Sequence, residues 1–253
     1  MCLSGGKIMK TALQLYSIRD LCSKDFFGTL ENVAKAGYSG VEFAGYYDKP
    51  FEEIREVLDK NGLVAAGTHV GYDAIAADID NSIKGAKVLG LESMVVPYAQ
   101  FDSAKGWEDF ALKMNKLGEI LRKEGIIFGY HNHAHELLQK YDGKPAMDII
   151  LENSDPLNVC WEMDTHWAAK GGFDPVERAE KYKNRMPLIH AKDIGSDGED
   201  TEAGSGSIKF DDIVKVLTPG LKWIIVEQEK FDMDMLESIK ISASNMNSIC
   251  KKY

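Results

Sequence analysis

The sequence predicts an α/β fold, a single (β/α)₈ TIM barrel, and three observations support this prediction. Short apolar segments typical of strands alternate along the chain with amphipathic segments typical of helices. Several helical segments end at a glycine just before the next strand, where a left-handed helix cap favours glycine. Eight strand-like segments can be counted, at 11–16, 40–43, 64–69, 93–96, 126–130, 159–163, 188–190 and 223–227.

The predicted helices occupy the intervals between these strands. Periodicity is clear at 26–35, 51–61, 79–89, 107–124 and 233–251, and weaker at 146–152, 175–183 and 210–217. No linker interrupts the alternation, so we expect one barrel domain over residues 10–253, after a disordered or extended segment at 1–9. The glycine-rich acidic stretch 195–207 is predicted to be a mobile loop over the barrel mouth, although a solvated loop without function fits it equally well.

Composition limits the classes of function. The chain of 253 residues is 44% hydrophobic, and no apolar run approaches the roughly 18–20 residues of a membrane span. Its net charge of −10 opposes binding to nucleic acid. The four cysteines form no CxxC pair, which favours reduced thiols. We therefore expect a cytoplasmic enzyme with a small-molecule substrate, no membrane contact and no nucleic-acid partner. Homo-oligomerisation remains open.

All six histidines fall at or just past the end of a predicted strand, and carboxylates share several of these places. Since active sites of (β/α)₈ barrels lie at the carboxyl ends of the strands, this pattern indicates a site for one divalent metal. Asp164, His190 and Glu227 are the strongest ligand candidates, because each is the first polar residue after a separate apolar strand. A fourth ligand should come from the fifth strand, where Glu136 and His131 lead. Mixed nitrogen and oxygen ligands suit manganese, zinc, cobalt or magnesium.

An ordered set of short motifs spans the chain. They are LQLYS at 13–17, VEFAGYY at 41–47, GTH at 67–69, GYHNHAHE at 129–136, MDTHWAAKGG at 163–172, HAKD at 190–193 and VEQE at 226–229. Together they resemble the sugar phosphate isomerase/epimerase family. This is the xylose isomerase-like TIM barrel group, which also contains apurinic endonuclease IV.

The resemblance implies one metal held by a Glu, Asp, His, Glu set, which carries over to Glu136, Asp164, His190 and Glu227. In several relatives the first ligand is a glutamate at the end of the fifth strand, where this chain has His131. Either Glu136 reaches back to the metal or a histidine replaces the glutamate.

The resemblance also suggests roles around the metal. Substrate contacts are expected from the ends of several strands, and acid/base catalysis from groups beside the ligands, with Glu136 as a further base if it binds the metal. Trp167 is expected to form an apolar wall. The expected substrate-binding residues are Gln14, Tyr16, Glu42, His69, His131 and Trp167, and the expected catalytic residues are His133, Lys192, Glu229 and Glu136.

The predicted function is that of a metal-dependent isomerase or epimerase of a sugar, keto-sugar or cyclitol, which removes a proton next to a carbonyl and forms a metal-stabilised enediolate. The alternative is a lyase or dehydratase of a related keto-sugar, glycoside or inosose. An endonuclease would need a trinuclear zinc cluster and a basic DNA groove, which the net charge of −10 opposes. A non-catalytic sugar-binding protein is the third alternative.

Overall fold

The computed structural model describes residues 9–253. Within this range eight parallel strands close into a barrel, and helices surround it. The barrel strands are β1 Lys10–Gln14, β2 Gly40–Phe43, β3 Val64–His69, β4 Ser93–Val96, β5 Ile127–His131, β8 Cys160–Asp164, β9 Leu188–Ala191 and β12 Trp223–Val226. Four short strands form two separate hairpins: β6 Lys140–Tyr141 with β7 Lys144–Pro145, and β10 Asp193–Ile194 with β11 Asp200–Thr201. The barrel order is β1, β12, β9, β8, β5, β4, β3, β2. The predicted fold class is confirmed.

The helices connect successive barrel strands. They are α1 Arg19–Lys24, α2 Phe26–Ala36, α3 Phe51–Asn61, α4 Tyr72–Ala77, α5 Ile79–Leu89, α6 Ala104–Lys123, α7 His135–Leu138, α8 Ala146–Glu152, α9 Thr165–Lys170, α10 Pro175–Tyr182, α11 Phe210–Leu217 and α12 Met235–Cys250. Four of them, α1, α4, α7 and α9, were not predicted, because segments of four to six residues are too short to show helical periodicity. None of the helices in the described range is long and apolar enough to cross a membrane.

The barrel interior has two layers of different chemistry. At the amino ends of the strands, Ala12, Ala66, Cys160, Leu188 and Ile225 belong to a buried apolar cluster. Because side chains alternate between the two faces of a strand, the residues two positions further along also point inward. On β1, β8 and β9 these residues are Gln14, Glu162 and His190, and just past the end of β12 the corresponding residue is Glu227. The strands therefore carry a polar layer directly above an apolar plug.

The stretch 195–207, predicted from the sequence to be a mobile loop, contains regular structure. It includes β11, which pairs with β10 in an antiparallel hairpin. The buried Asp193 carboxylate also accepts hydrogen bonds from the backbone N–H groups of Gly204, Gly206 and Ile208, at 2.9–3.0 Å. One carboxylate thus orders the connection between β9 and α11. The segment predicted to be disordered or extended, 1–9, lies outside the described residues except for Met9, which is buried.

Gly118 fixes the approach of α6 to the chain that enters β8. A Cβ atom at this position would lie 2.0 Å from the carbonyl oxygen of Asn158 and 3.2 Å from the Phe128 ring. The backbone of the Asn158 loop would have to move to admit a methyl group. The absence of a side chain at Gly118 is therefore a packing requirement.

We predict that Gly118→Ala destabilises the protein. Alanine raises intrinsic helix stability by up to about 1 kcal/mol, but overpacking against backbone costs about 1–3 kcal/mol. The free energy of unfolding, measured by urea denaturation, should fall. Lys116→Ala on the exposed side of the same helix should change it by less than about 0.5 kcal/mol. A Gly118→Ala variant as stable as the wild type would show that the loop accommodates the methyl group.

Candidate metal centre

The register of the barrel strands brings the polar residues together. His131 at the end of β5 pairs with Glu162 on β8, and Asp164 pairs with His190 on β9. On the other side of the barrel, Gln14 pairs with Glu42. Because these strands are parallel, their side chains converge inside the barrel near the carboxyl ends of the strands.

Four side chains at this end of the barrel have the chemistry of a metal site, and we call them the outer quartet: His131, Asp164, His190 and Glu227. Each offers one ligand atom, and these atoms all lie within 4.8 Å of one another. Ligands at about 2.0–2.2 Å from one ion lie roughly 3.3–4.4 Å apart, so only a small contraction is required. These side chains are at most 9% exposed, and Asp164 Oδ2 has no hydrogen-bond partner within residues 9–253. A buried carboxylate oxygen without a donor fits a bound cation.

The structure moves the proposed fourth ligand from Glu136 to His131. The carboxylate of Glu136 is fully buried, but it accepts hydrogen bonds from Tyr130 Oη at 2.7 Å and from the backbone N–H of His133 at 2.8 Å. It lies at the start of α7, past the end of β5, and belongs to neither group of potential ligands. His131 is the last residue of β5, and its Nε2 lies 4.0 Å from Asp164 Oδ2. Of the two candidates that the sequence left open for the fourth ligand, the geometry therefore favours His131.

A second pair of carboxylates, Glu42 and Glu162, lies beneath the outer quartet, and we call them the inner carboxylates. Both are fully buried. Glu42 Oε2 and Glu162 Oε1 lie 2.6 and 2.9 Å from His190 Nε2, and 3.2 and 2.8 Å from His69 Nε2. Glu162 was missed in the sequence, although it stands two residues before Asp164 on the same strand and so shares its inward face.

Two residues expected to contact substrate belong to this buried layer instead. Gln14 and Glu42 are 0% exposed, and Gln14 Nε2 donates to Glu42 Oε2 at 2.8 Å. Gln14 Oε1 also accepts from the backbone N–H of Tyr16. In this structure the two side chains therefore bond to each other within the buried cluster. His69 lies between the layer and the mouth, with an 11% exposed side chain.

The electrostatics of the cluster follow from burial and opposite charge. Burial alone would lower the pKa of His190, but the charges of Glu162 and Glu42 raise it well above the usual value. Burial likewise opposes ionisation of Glu227, yet the hydrogen bond from His190 and the charge of Lys192 lower its pKa. Burial raises the pKa of Asp164 to about 7. Without an ion, protons therefore neutralise part of this site.

The remaining candidates lie around the mouth. The ring of His133 is 5.2 Å from that of His131 and 5.8 Å from that of Trp167, and burial lowers the pKa of His133 to about 4. Lys192 is 1% exposed, forms an ion pair with Glu229, and its Nζ lies 5.0 Å from the Trp167 ring centroid. Tyr16, at the end of β1, is 43% exposed. These groups surround the entrance to the outer quartet.

The other two histidines have structural contacts. His135 lies 2.9 Å from the carbonyl oxygen of Ala99 through its Nε2. His166 Nδ1 lies 3.3 Å from the carbonyl oxygen of Asp193 and 3.3 Å from Asp200 Oδ1. Both rings therefore attach neighbouring loops to the strand ends and contribute no ligand to the outer quartet.

The chain belongs to the xylose isomerase-like TIM barrel family, whose family model matches residues 30–249. The sequence resemblance is thereby confirmed. Among solved structures, a sugar phosphate isomerase/epimerase from Parabacteroides distasonis is 27% identical, superposes with a TM-score of 0.80, and the match covers 98% of this chain and 96% of that one. A protein named IOLI, solved with a bound zinc atom, is 15% identical with a TM-score of 0.77 over 97% of this chain and 99% of that one, which shows the shared fold.

Similar sequences include two dehydratases. The inosose dehydratase of Clostridium tetani is 26% identical over 245 residues, covering 88% of this chain and 74% of the relative. That of Clostridium beijerinckii is 25% identical over 248 residues, covering 81% and 82%. These relatives, like the isomerase/epimerase above, carry the names of enzymes, and the prediction that the chain is an enzyme is confirmed.

We predict that His131→Ala weakens the binding of Zn²⁺ far more than Glu136→Gln does. His131 faces the other three ligands, whereas Glu136 contacts Tyr130, the backbone N–H of His133 and the ring of His135. Loss of a direct ligand should exceed the roughly 10–100-fold cost of losing a supporting partner. Competition titration with a chelator measures both affinities. Equal losses in the two variants would return Glu136 to the ligand set.

We also predict that ion affinity rises with pH between 6 and 8. The raised pKa of His190 and the pKa of about 7 at Asp164 mean that both groups carry protons at pH 6 in the ion-free protein. Protons therefore compete with the ion, so binding should release about two protons below pH 7 and about one above it. Calorimetry in buffers of different ionisation enthalpy counts these protons. An affinity independent of pH would contradict the protonation of the site.

Proposed function

We propose that this protein is a divalent-metal-dependent enzyme that removes a proton from the carbon next to the carbonyl of a small polyhydroxylated ketone, a keto-sugar or a cyclitol ketone. One observation carries the proposal. The outer quartet of His131, Asp164, His190 and Glu227 lies at the carboxyl ends of four neighbouring strands, and ionisable side chains line the entrance above it. A metal site open toward such groups suits chemistry on a carbon acid.

The composition of the quartet bears on which ion it would hold. Two imidazole nitrogens and two carboxylate oxygens suit zinc, manganese or cobalt better than magnesium, which prefers oxygen ligands alone. The bound zinc of the structurally similar IOLI protein supports a divalent ion here. When bound, such an ion acts as a Lewis acid that lowers the cost of removing a proton beside a carbonyl.

His133 is the proposed base. Its low pKa, caused by burial, leaves the ring neutral and able to accept a proton at pH 7. The ring lies next to that of His131, at the edge of the quartet, and its Nδ1 has no hydrogen-bond partner among residues 9–253. Trp167 and Tyr98 contact the His133 ring and restrict its orientation.

Lys192 and Glu229 are the proposed partners of the base. Burial alone would lower the pKa of Lys192, but Glu227 and Asp164 raise it, so the ammonium group stays charged and can bind a substrate oxygen. Glu229 is paired with Lys192, has a side chain 34% exposed, and follows β12. Two strands, β8 and β9, separate β12 from β5, which places Glu229 and His133 on different sides of the mouth.

The same first step leads to two classes of product. Return of the proton to the substrate, by His133 to the neighbouring carbon or by Glu229 to the opposite face, gives an isomerase or epimerase. Transfer of the proton from His133 to a departing β-hydroxyl gives a dehydratase: the C–H and C–O bonds break, a C=C bond forms and water leaves. The buried ammonium of Lys192 favours this second candidate, because it can hold the departing oxygen. The names of the clostridial relatives support it.

A small carbohydrate in the cytoplasm is the proposed partner. The net charge of −10 opposes a polyanionic substrate such as DNA. The buried Cys22 and Cys160 are free thiols, in keeping with a reducing compartment.

We predict that the wild-type protein loaded with Zn²⁺ or Mn²⁺ catalyses incorporation of deuterium from D₂O next to the carbonyl of an inosose or a keto-sugar. His133→Gln should slow this incorporation by about 10²-fold or more, the size expected for loss of a positioned base, without releasing the ion. Proton NMR of the substrate measures the exchange, and metal analysis measures occupancy.

His135→Gln is the matched control, because His135 is two residues away and contacts a backbone carbonyl. It should retain nearly the full exchange rate. Equal rates in wild type and His133→Gln would place the base elsewhere. Absence of exchange for every ketone tested, with the ion bound, would contradict the proposed chemistry.

A further inference from the structure

One oxygen atom of the inner carboxylates contacts all three histidines of the cluster. Glu162 Oε1 lies 2.8 Å from His69 Nε2, 2.9 Å from His190 Nε2 and 3.4 Å from His131 Nδ1. Glu162 is fully buried and makes no contact with the mouth. Its position between three imidazole rings needs an explanation that the proposed reaction does not itself supply.

Each of the two ligand histidines directs one ring nitrogen toward the outer quartet and the other toward the inner carboxylates. His190 presents Nδ1 to Glu227, at 2.7 Å, and Nε2 to the inner carboxylates. His131 presents Nε2 toward Asp164, at 4.0 Å, and Nδ1 toward Glu162, at 3.4 Å and without a hydrogen bond among the described residues. For both rings, the nitrogen that faces the outer quartet is opposite to the nitrogen that faces Glu162.

This division determines where each ring carries its proton. A neutral imidazole has one N–H donor and one lone pair, and an ionised carboxylate can only accept. A ring nitrogen against Glu162 therefore keeps its hydrogen, which leaves the lone pair on the nitrogen that faces the quartet. A carboxylate that accepts from the far nitrogen also makes the ring a stronger ligand.

We propose that Glu162 is a positioning residue for both ligand histidines: it fixes the tautomer of His190 through a hydrogen bond and favours the Nδ1–H tautomer of His131 through its nearby charge, so that both free lone pairs point into the outer quartet. This inference rests on the proposed metal site. Glu42 shares the task at His190, at 2.6 Å from Nε2. His69 completes the layer by bonding to Glu162 and by stacking on His190, with ring centroids 5.1 Å apart and planes 6° from parallel.

A second ion in the inner layer is the rival explanation. His69, His131, Glu162 and His190 also offer ligand atoms within 4.8 Å of one another. Two ions would require His131 and His190 to bind metal through both nitrogens, which removes the last N–H proton from each ring. Positioning needs no such deprotonation, and Glu162 Oε1 already lies within hydrogen-bond distance of His69 and His190.

The test is Glu162→Gln in the full-length protein, with Zn²⁺ as the ion. A neutral amide oxygen accepts a hydrogen bond more weakly than a carboxylate. Affinity for Zn²⁺ should fall by about 10–100-fold, the cost of losing a supporting partner, while one ion per chain remains the limit. In NMR spectra of the zinc form, the Nδ1–H signal of His131 and the Nε2–H signal of His190 should both move upfield.

Glu42→Gln is the second variant, and it keeps the test decisive if Glu162→Gln does not fold. Glu42 contacts His190 and His69 but is not paired with His131. It should therefore shift the His190 signal and leave the His131 signal in place. Asp148→Asn is the matched control: it neutralises a buried carboxylate that pairs with Arg178 at 2.7 Å and Lys181 at 2.9 Å, and it should change neither affinity nor either signal.

Three outcomes would overturn the inference. Unchanged affinity and spectra in Glu162→Gln would mean that Glu162 does not orient the ligands. Two ions per wild-type chain, with one lost in Glu162→Gln, would make Glu162 a ligand. If Asp148→Asn lowered the affinity for Zn²⁺ as much as Glu162→Gln does, the effect would reflect general destabilisation of the protein. Failure of the proposed function is recognised separately, because the wild-type protein would then bind no ion or exchange no deuterium.

Discussion

Compensation of charge inside a dry barrel is the constraint on which this site depends. The outer quartet and the inner carboxylates together form one buried cluster of four carboxylates and two imidazoles: Glu42, Glu162, Asp164, Glu227, His131 and His190. A buried charge without a partner costs several kcal/mol, so each carboxylate needs a proton, an imidazole or a cation nearby. Hydrogen bonds and ion pairs connect the layer, and a divalent ion among the outer four would replace the protons that the layer otherwise holds.

The barrel makes this layer possible through its backbone. Parallel register brings His131 beside Glu162 and Asp164 beside His190, so the cluster requires no long side chain to reach across the barrel. Gly67 makes room for Glu42: a Cβ atom there would lie 2.6 Å from Glu42 Oε1 and 2.5 Å from Ser93 Oγ. Directly beneath, the apolar plug closes the barrel from its amino end. Packing and chemistry thus occupy successive layers of the same strands.

Much of the fold could be predicted from sequence because the strands and long helices carry strong patterns. The bounds of β2, β3 and β4 agree with the predicted segments 40–43, 64–69 and 93–96. On β5 and β8, however, the structure begins and ends each strand one residue later than the sequence predicted, which adds His131 and Asp164 to the strands. Both residues were already candidate ligands in the sequence, because the first polar residue after an apolar strand lies near the barrel mouth whether or not it is counted in the strand.

Tertiary contacts explain the features of the site that the sequence did not reveal. Glu136 resembled a ligand by residue type, but a short helix that the sequence did not reveal turns it toward Tyr130. Glu162 was passed over because apolar neighbours surround it in the sequence, and only inward alternation on β8 reveals its position. The burial of Glu42 and Gln14 could not be predicted either, because exposure cannot be judged from a motif. Ordering of 195–207 by the single carboxylate of Asp193 is also a tertiary effect.

The most direct test of this account is a crystal structure of the zinc-loaded protein with anomalous data collected at the zinc edge. We expect one anomalous peak per chain, about 2.0–2.2 Å from one atom each of His131, Asp164, His190 and Glu227, with Glu162 still bonded to the far side of the imidazoles. A peak coordinated by Glu136, a peak within the inner layer, or no peak in the barrel would contradict the account.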